Sequence, residues 1–263
     1  MPAVRPKKQL GQHFLNDKRV AARIVESLSA NKSHYVLEVG PGMGVLTGEL
    51  VTRFGERFYA AEIDGESVDY LIRSLPALAP NLLKCDFLEL DLKRQFNGGI
   101  AIIGNFPYNI SSQIFFKVLE NRDRVNEVVG MVQREVALRI SEKPGSRTYG
   151  ILSVLLQAYY DIKYLFTVNE GVFTPPPKVK SAVIRLVRNE TPQLACNEEL
   201  FVRVVKAGFN QRRKTLRNSL RAAFPGIELS SGFAEKRPEQ LGVAEFVALT
   251  NEVEATLLRI NAD

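Results

Sequence analysis

Tyr35-Val36-Leu37-Glu38-Val39-Gly40-Pro41-Gly42-Met43-Gly44 decides the fold of this 263-residue chain. A short, mostly apolar run enters a glycine-rich turn, and helical spacing resumes at Leu46 and Leu50. The pattern then repeats. Phe58–Ile63 reads as a second strand, followed by the acid Asp64, and residues 82–85, 100–104 and 128–132 read as a third, fourth and fifth. Helices are expected between them: over residues 67–75, from Ser111 or Ser112, and over 134–140. Upstream, Asn16 or Asp17 can cap a helix carrying Val20, Ile24, Val25 and Leu28. Strands alternating with helices argue an α/β fold with a mostly parallel, doubly wound sheet.

The glycine turn says what that sheet binds. Glycines let a ligand approach the backbone closely, and the helix behind them favours an electron-rich group. A dinucleotide fingerprint needs G-x-G-x-x-G, but Gly40, Gly42 and Gly44 are spaced G-x-G-x-G, a poor fit to a pyrophosphate. Glu62, near the end of the next strand, can accept both hydroxyls of a ribose. Asp86, ending the third strand, can accept from an adenine amine. These residues suit a nucleoside-bearing cofactor without phosphates, namely S-adenosylmethionine.

The acceptor side is written in Asn105-Phe106-Pro107-Tyr108, directly after the fourth strand. The Asn105 amide oxygen and the Pro107 carbonyl are acceptors, and Tyr108 is a flat apolar face. Acceptors beside a stacking ring suit a planar amino group such as the exocyclic amine of a nucleobase. That amine is a poor nucleophile because its lone pair is delocalised into the ring. Accepting from both of its N–H groups favours a pyramidal nitrogen whose lone pair can attack a methyl group. This is catalysis by positioning and electrostatics, with no general base assigned.

After Tyr149 the pattern changes. A helix is expected over 151–160 and strands over 162–168 and 182–187, flanking a proline-rich turn at 174–178. Pro192 and its polar neighbours look like a linker, and from Glu198 only helical periodicity remains. The expected domains are residues 1–188, binding the cofactor, and 189–263, a small all-helical appendage. Arg203, Lys206, Arg212, Arg213, Lys214, Arg217 and Arg221 stand in a segment without an acid, and helical spacing sets Arg213 and Arg217 one turn apart. With a net charge of +6, this stripe points to phosphate contacts on RNA, and Arg5, Lys7 and Lys8 to a weaker basic patch. Cys85 and Cys196 offer no disulfide framework and no metal-ligand spacing, so no metal is expected. With no apolar run of about 18 residues and no export signal, a cytoplasmic protein is expected.

The chain resembles the ribosomal RNA adenine N6-dimethyltransferases of the KsgA type. The resemblance rests on Gly11-Gln12-His13-Phe14-Leu15, Glu38–Gly44, Glu62-Ile63-Asp64, Asp86-Phe87, Asn105–Tyr108, Phe173–Val179 with Ser181-Ala182-Val183, and Phe209-Asn210-Gln211-Arg212-Arg213-Lys214. Phe106 stands where Leu is usual in that family. The resemblance implies a Rossmann-like methyltransferase sheet with a helical C-terminal domain. It implies that Gln12, His13 and Leu15 close over the methionine part of the cofactor, and that Tyr108 and Phe173 sandwich the target base. The substrate it implies is two adjacent adenosines near the 3′ end of small-subunit ribosomal RNA, in an assembling particle, with the protein acting as a monomer. Three alternatives share parts of this pattern. They are a large-subunit methyltransferase of the macrolide-resistance type, an assembly factor whose catalysis is incidental, and a DNA or glutamine amine methyltransferase.

Overall fold

The computed structural model describes residues 4–260. The chain forms two compact units, one running up to Ala137 and resuming over Asp161–Arg188, the other made of Leu138–Tyr160 and the chain from Asn189 onward. The boundary expected at residue 188 is therefore corrected at 138–160, which belongs with the second unit. The sequence pattern changes after Tyr149, but it does not show that this stretch leaves the first unit before the chain returns to it at Asp161.

The first unit opens with β1 (Phe14–Leu15) and α1 (Lys18–Glu26). Asp17 caps α1, accepting from Arg19 N at 2.8 Å and Val20 N at 3.2 Å. Then come β2 (Tyr35–Val39), α2 (Thr47–Phe54), β3 (Phe58–Glu62), α3 (Gly65–Ser74), β4 (Leu82–Lys84), α4 (Leu92–Gln95), β5 (Ile100–Asn105), α5 (Ser111–Glu120) and β6 (Val125–Gln133). In sequence, α6 (Arg134–Ser141) and α7 (Ile151–Gln157) precede β7 (Tyr160–Val168), β8 (Phe173–Thr174) and β9 (Ser181–Arg188).

Seven strands make the main sheet in the order β4-β3-β2-β5-β6-β9-β7. Neighbours from β4 to β6 are parallel, and β9 is antiparallel to β6. Continuous apolar runs explain why the central strands lie inside: Ile100, Ala101, Ile102 and Ile103 of β5 are fully buried. From β2 the chain adds β3 and β4 on one side, then returns to add β5 on the other. That reversal opens a crevice beyond the ends of β2 and β5. A separate two-stranded pair, β1 with β8, sets Phe14 against Thr174 and Leu15 against Phe173.

The second unit also holds α8 (Glu198–Asn210), α9 (Leu216–Ala223) and α10 (Val243–Ile260). Asn197 caps α8, accepting from Leu200 N at 3.0 Å. Helix α8 buries Leu200, Phe201, Val204 and Val205, and Phe209 stacks on Phe246 of α10 with centroids 6.0 Å apart. Among the described residues, no helix is long and apolar enough to cross a membrane.

Candidate active site

Gly40 follows β2, Glu62 ends β3, Asp86 follows β4 and Asn105 ends β5, and all four line one cleft that opens to solvent. Parallel register brings them to the same edge: Val39 pairs with Ala61, and Glu62 with Lys84. Gly40 and Gly42 have φ of +68° and +55°, the left-handed region that glycine reaches freely. A Cβ on Gly42 would also fall 2.9 Å from the Phe14 ring.

Glu62 is buried, yet both its oxygens are held: one accepts from Gly42 N at 3.0 Å, the other from Asp64 N at 2.9 Å. Burial raises its pKa, and those two N–H groups oppose the rise. A carboxylate offers about four acceptor positions, so two backbone bonds leave capacity for a pair of hydroxyls. Asp86 accepts from Leu88 N at 2.8 Å through one oxygen, which fixes its carboxyl at the cleft wall. Ile63, 51% exposed, and Phe87 add apolar surface to the same wall. The lining carries two acids and no Lys or Arg. That donor set repels phosphates and suits a ligand with ribose hydroxyls, an adenine and positive charge. S-adenosylmethionine fits it.

Opposite stands the Asn105–Tyr108 step. The Asn105 side-chain nitrogen donates to the His13 carbonyl at 2.8 Å. Pro107 O accepts from Ile110 N at 3.2 Å, which uses one of its two lone pairs. The Tyr108 hydroxyl shares a hydrogen bond with the Ser181 hydroxyl, and burial raises the phenol's pKa. The ring facing Tyr108 is His13, stacked with centroids 5.3 Å apart. His13 Nδ1 lies 2.7 Å from the Pro175 carbonyl, so the proton sits on that nitrogen. Phe106 is buried, edge-on to Phe115 at 5.9 Å, with its ring against Gly104 and Gly130. The larger residue is absorbed beneath the site by two glycines.

Gln12, His13, Gly40, Gly42, Glu62, Asp86, Asn105, Pro107 and Tyr108 thus meet in one cleft. Three of the expected site residues do not. Leu15, 4% exposed, lies in the hydrophobic core, because β1 turns it away from the cleft to pair with β8. Gly44 faces α3: a Cβ there would meet Leu71 at 3.0 Å, so its role is helix packing. Phe173, 3% exposed, is a core residue beside Leu15 rather than a wall of the cleft. In this structure the ring stacked on Tyr108 is His13, while Phe173 packs in the core.

Sequence reading also missed contributors. Ser181 sits in the matched segment but looks like the start of a strand. Lys7, read as part of a weaker basic patch, pairs with Asp64 and with Glu66 at 3.2 Å.

In the second unit, α8 ends at Asn210 and α9 begins at Leu216, so a turn separates Arg213 from Arg217. The continuous helical stripe is corrected to a turn with a helix after it. Arg213 and Lys214 are exposed on that turn, while Arg212 donates to the Ser146 carbonyl at 3.3 Å. Arg217 is ion-paired with Glu235 at 2.7 Å. Glu235 lies outside the acid-free segment, which is why the pairing was invisible in it.

Residues 3–255 match the family described as Ribosomal RNA adenine dimethylase. The chain is 54% identical over 254 residues to the Ribosomal RNA small subunit methyltransferase A of Parabacteroides distasonis, covering 95% of this chain and 94% of that one. Identity to the protein of the same name from Cytophaga hutchinsonii is also 54%, over 95% of this chain and 98% of that one. Among solved structures, a dimethyladenosine transferase from Plasmodium falciparum has the same fold, with a TM-score of 0.76 at 23% identity over 93% and 98% of the two chains. The 23S rRNA methyltransferase ErmE gives 0.66 at 27% identity over 92% and 99%. With the family match spanning nearly the whole sequence, this chain belongs to the ribosomal RNA adenine dimethylase family.

Proposed function

We propose that this chain dimethylates two adjacent adenosines near the 3′ end of small-subunit ribosomal RNA, acting as a monomer on an assembling subunit. Its chemistry is methyl transfer to N6 of adenine in ribosomal RNA, with S-adenosylmethionine as cofactor. The observation that carries the choice of subunit is the 54% identity to small-subunit enzymes, against 27% to a 23S rRNA enzyme.

S-adenosylmethionine supplies an activated methyl group on sulfur when bound. Glu62 would hold its ribose, Asp86 its adenine amine, and Gln12 and the Gly40–Gly42 turn its remaining length. The target amine would donate to the Asn105 oxygen and to the second lone pair of the Pro107 carbonyl. Tyr108 would offer the base a flat face, held by Ser181. The base must leave its stack to reach these groups, which single-stranded RNA makes easier. In the second unit, Arg213 and Lys214 would contact RNA phosphates, with Arg212 and Arg217 supporting the turn.

Mass spectrometry of ribosomal RNA from a strain lacking this protein tests the reading. Two dimethyladenosines should be missing from the small subunit and restored by the wild-type chain. Loss mapped to large-subunit RNA would overturn the assignment.

A further inference from the structure

The segment from Lys7 to Leu15 crosses one lip of the cleft, contributing Leu10, Gly11, Gln12 and His13 to its lining, and is fastened at two ends of different chemistry. The far end is apolar: Phe14 and Leu15 are buried where β1 pairs with β8. The near end is ionic. The Lys7 ammonium pairs with Asp64 and, at 3.2 Å, with Glu66, while Lys7 N donates to Gln12 Oε1 at 2.8 Å and closes the strap on itself.

Asp64 stands two residues beyond Glu62, with its side chain 1% exposed. It also caps α3, accepting from the Ser67 hydroxyl at 2.9 Å. Burial works to raise its carboxyl, but Lys7 and Ser67 overcome that and hold it below the usual range. Lys7 supplies a counter-charge to a buried carboxylate, yet its own side chain is 31% exposed. The ammonium side of the pair is thus open to water, whereas the apolar strand pair at the other end is sealed from it.

We infer that Lys7 is a positioning residue for the cofactor, the releasable clasp that holds Gln12 over the cleft and limits how fast spent cofactor leaves. The need for a clasp that opens follows from the reaction. Two methyl groups on one adenine consume two cofactors, so the cleft must exchange its contents between steps. The inference rests on the reading that the Glu62 cleft takes the cofactor.

The test is stopped-flow dissociation of S-adenosylhomocysteine from the full chain, followed by tyrosine fluorescence, since the protein has no tryptophan. Lys7→Met should release the ligand about tenfold faster, the loss of one charge-assisted contact. Lys7→Arg should stay near wild type in release rate and thermal midpoint. Lys7→Met combined with Asp64→Asn leaves no buried carboxylate unpaired and should still release the ligand faster than Asp64→Asn alone. A wild-type release rate in Lys7→Met, or equal release by the double variant and Asp64→Asn, overturns the inference. Glu62→Gln separates the two readings. If it binds as tightly as wild type, the cleft assignment fails; if it weakens while Lys7→Met releases normally, only the clasp fails.

Discussion

The Asn105 side-chain nitrogen donates to the His13 carbonyl at 2.8 Å, so the amide oxygen is the atom left for a substrate amine. The N-terminal strap thereby sets the polarity of the acceptor site. Asn105→Ala removes a preorganised acceptor at the reacting centre and should lower the single-turnover rate by about 10²–10³. RNA affinity should change much less, because the cations proposed to contact phosphates, Arg213 and Lys214, lie on the second unit. Single-turnover methylation on a quench-flow instrument checks both halves.

Glu38 gives the first unit a pH signature. It is fully buried, and burial pushes its pKa up to about 8, against the hydrogen bond from Thr47 at 2.8 Å, with the Glu62 charge adding to the rise. A carboxyl raised in the folded state keeps its proton there after the unfolded chain has lost it. The stability it contributes is present below its ordinary pKa and is lost as pH rises toward about 8. The slope approaches about 1.4 kcal/mol per pH unit within that window. Glu38→Gln keeps the shape and abolishes the titration. Its melting advantage over wild type should therefore grow between about pH 5 and pH 8, as thermal melts at several pH values would show.

Phe173 is placed as a packing residue, and its variants should behave accordingly. Phe173→Ala should destabilise the protein by about 3–5 kcal/mol, as for a fully buried aromatic. Phe173→Leu should recover most of that stability, and with it most of the methylation rate. Denaturant unfolding paired with single-turnover assays decides. A slow Phe173→Leu enzyme of normal stability would return the ring to the base.

On the second unit, Arg213 and Lys214 should separate from Arg217. Arg213→Ala or Lys214→Ala should each reduce the log–log salt slope of RNA binding by about one unit. Arg217→Ala should reduce it less, because Glu235 already neutralises that guanidinium at 2.7 Å. Filter binding across a salt series gives the slopes.

The parallel sheet was legible because buried parallel strands are written as unbroken apolar runs, and Ile100–Ile103 is one of them. That Glu62, Asp86 and Asn105 line one cleft was legible because the strand ends of such a sheet meet at one edge. Leu15, Gly44 and Phe173 were misplaced for a shared reason. A motif names positions, but it does not say which way a side chain turns. Their directions depend on a two-residue strand pair, too short for any periodicity, and on the approach of α3. The break after Asn210 was missed because residues 211–215 contain neither Gly nor Pro. The clasp at Lys7 was missed because its partner Asp64 reads locally as a helix cap.

Phe106 lies against Gly104 and Gly130, paired neighbours on β5 and β6. A Cβ on Gly130 would fall 2.5 Å from the Phe106 ring. These positions consequently form one heritable unit. Alanine at residue 130 would drive its Cβ into the Phe106 ring, and a smaller side chain at 106 would relieve the closest of those contacts. Selection for suppressors of Gly130→Ala would therefore lead back to codon 106, 24 residues from the original lesion in sequence (130 − 106) yet touching it in space.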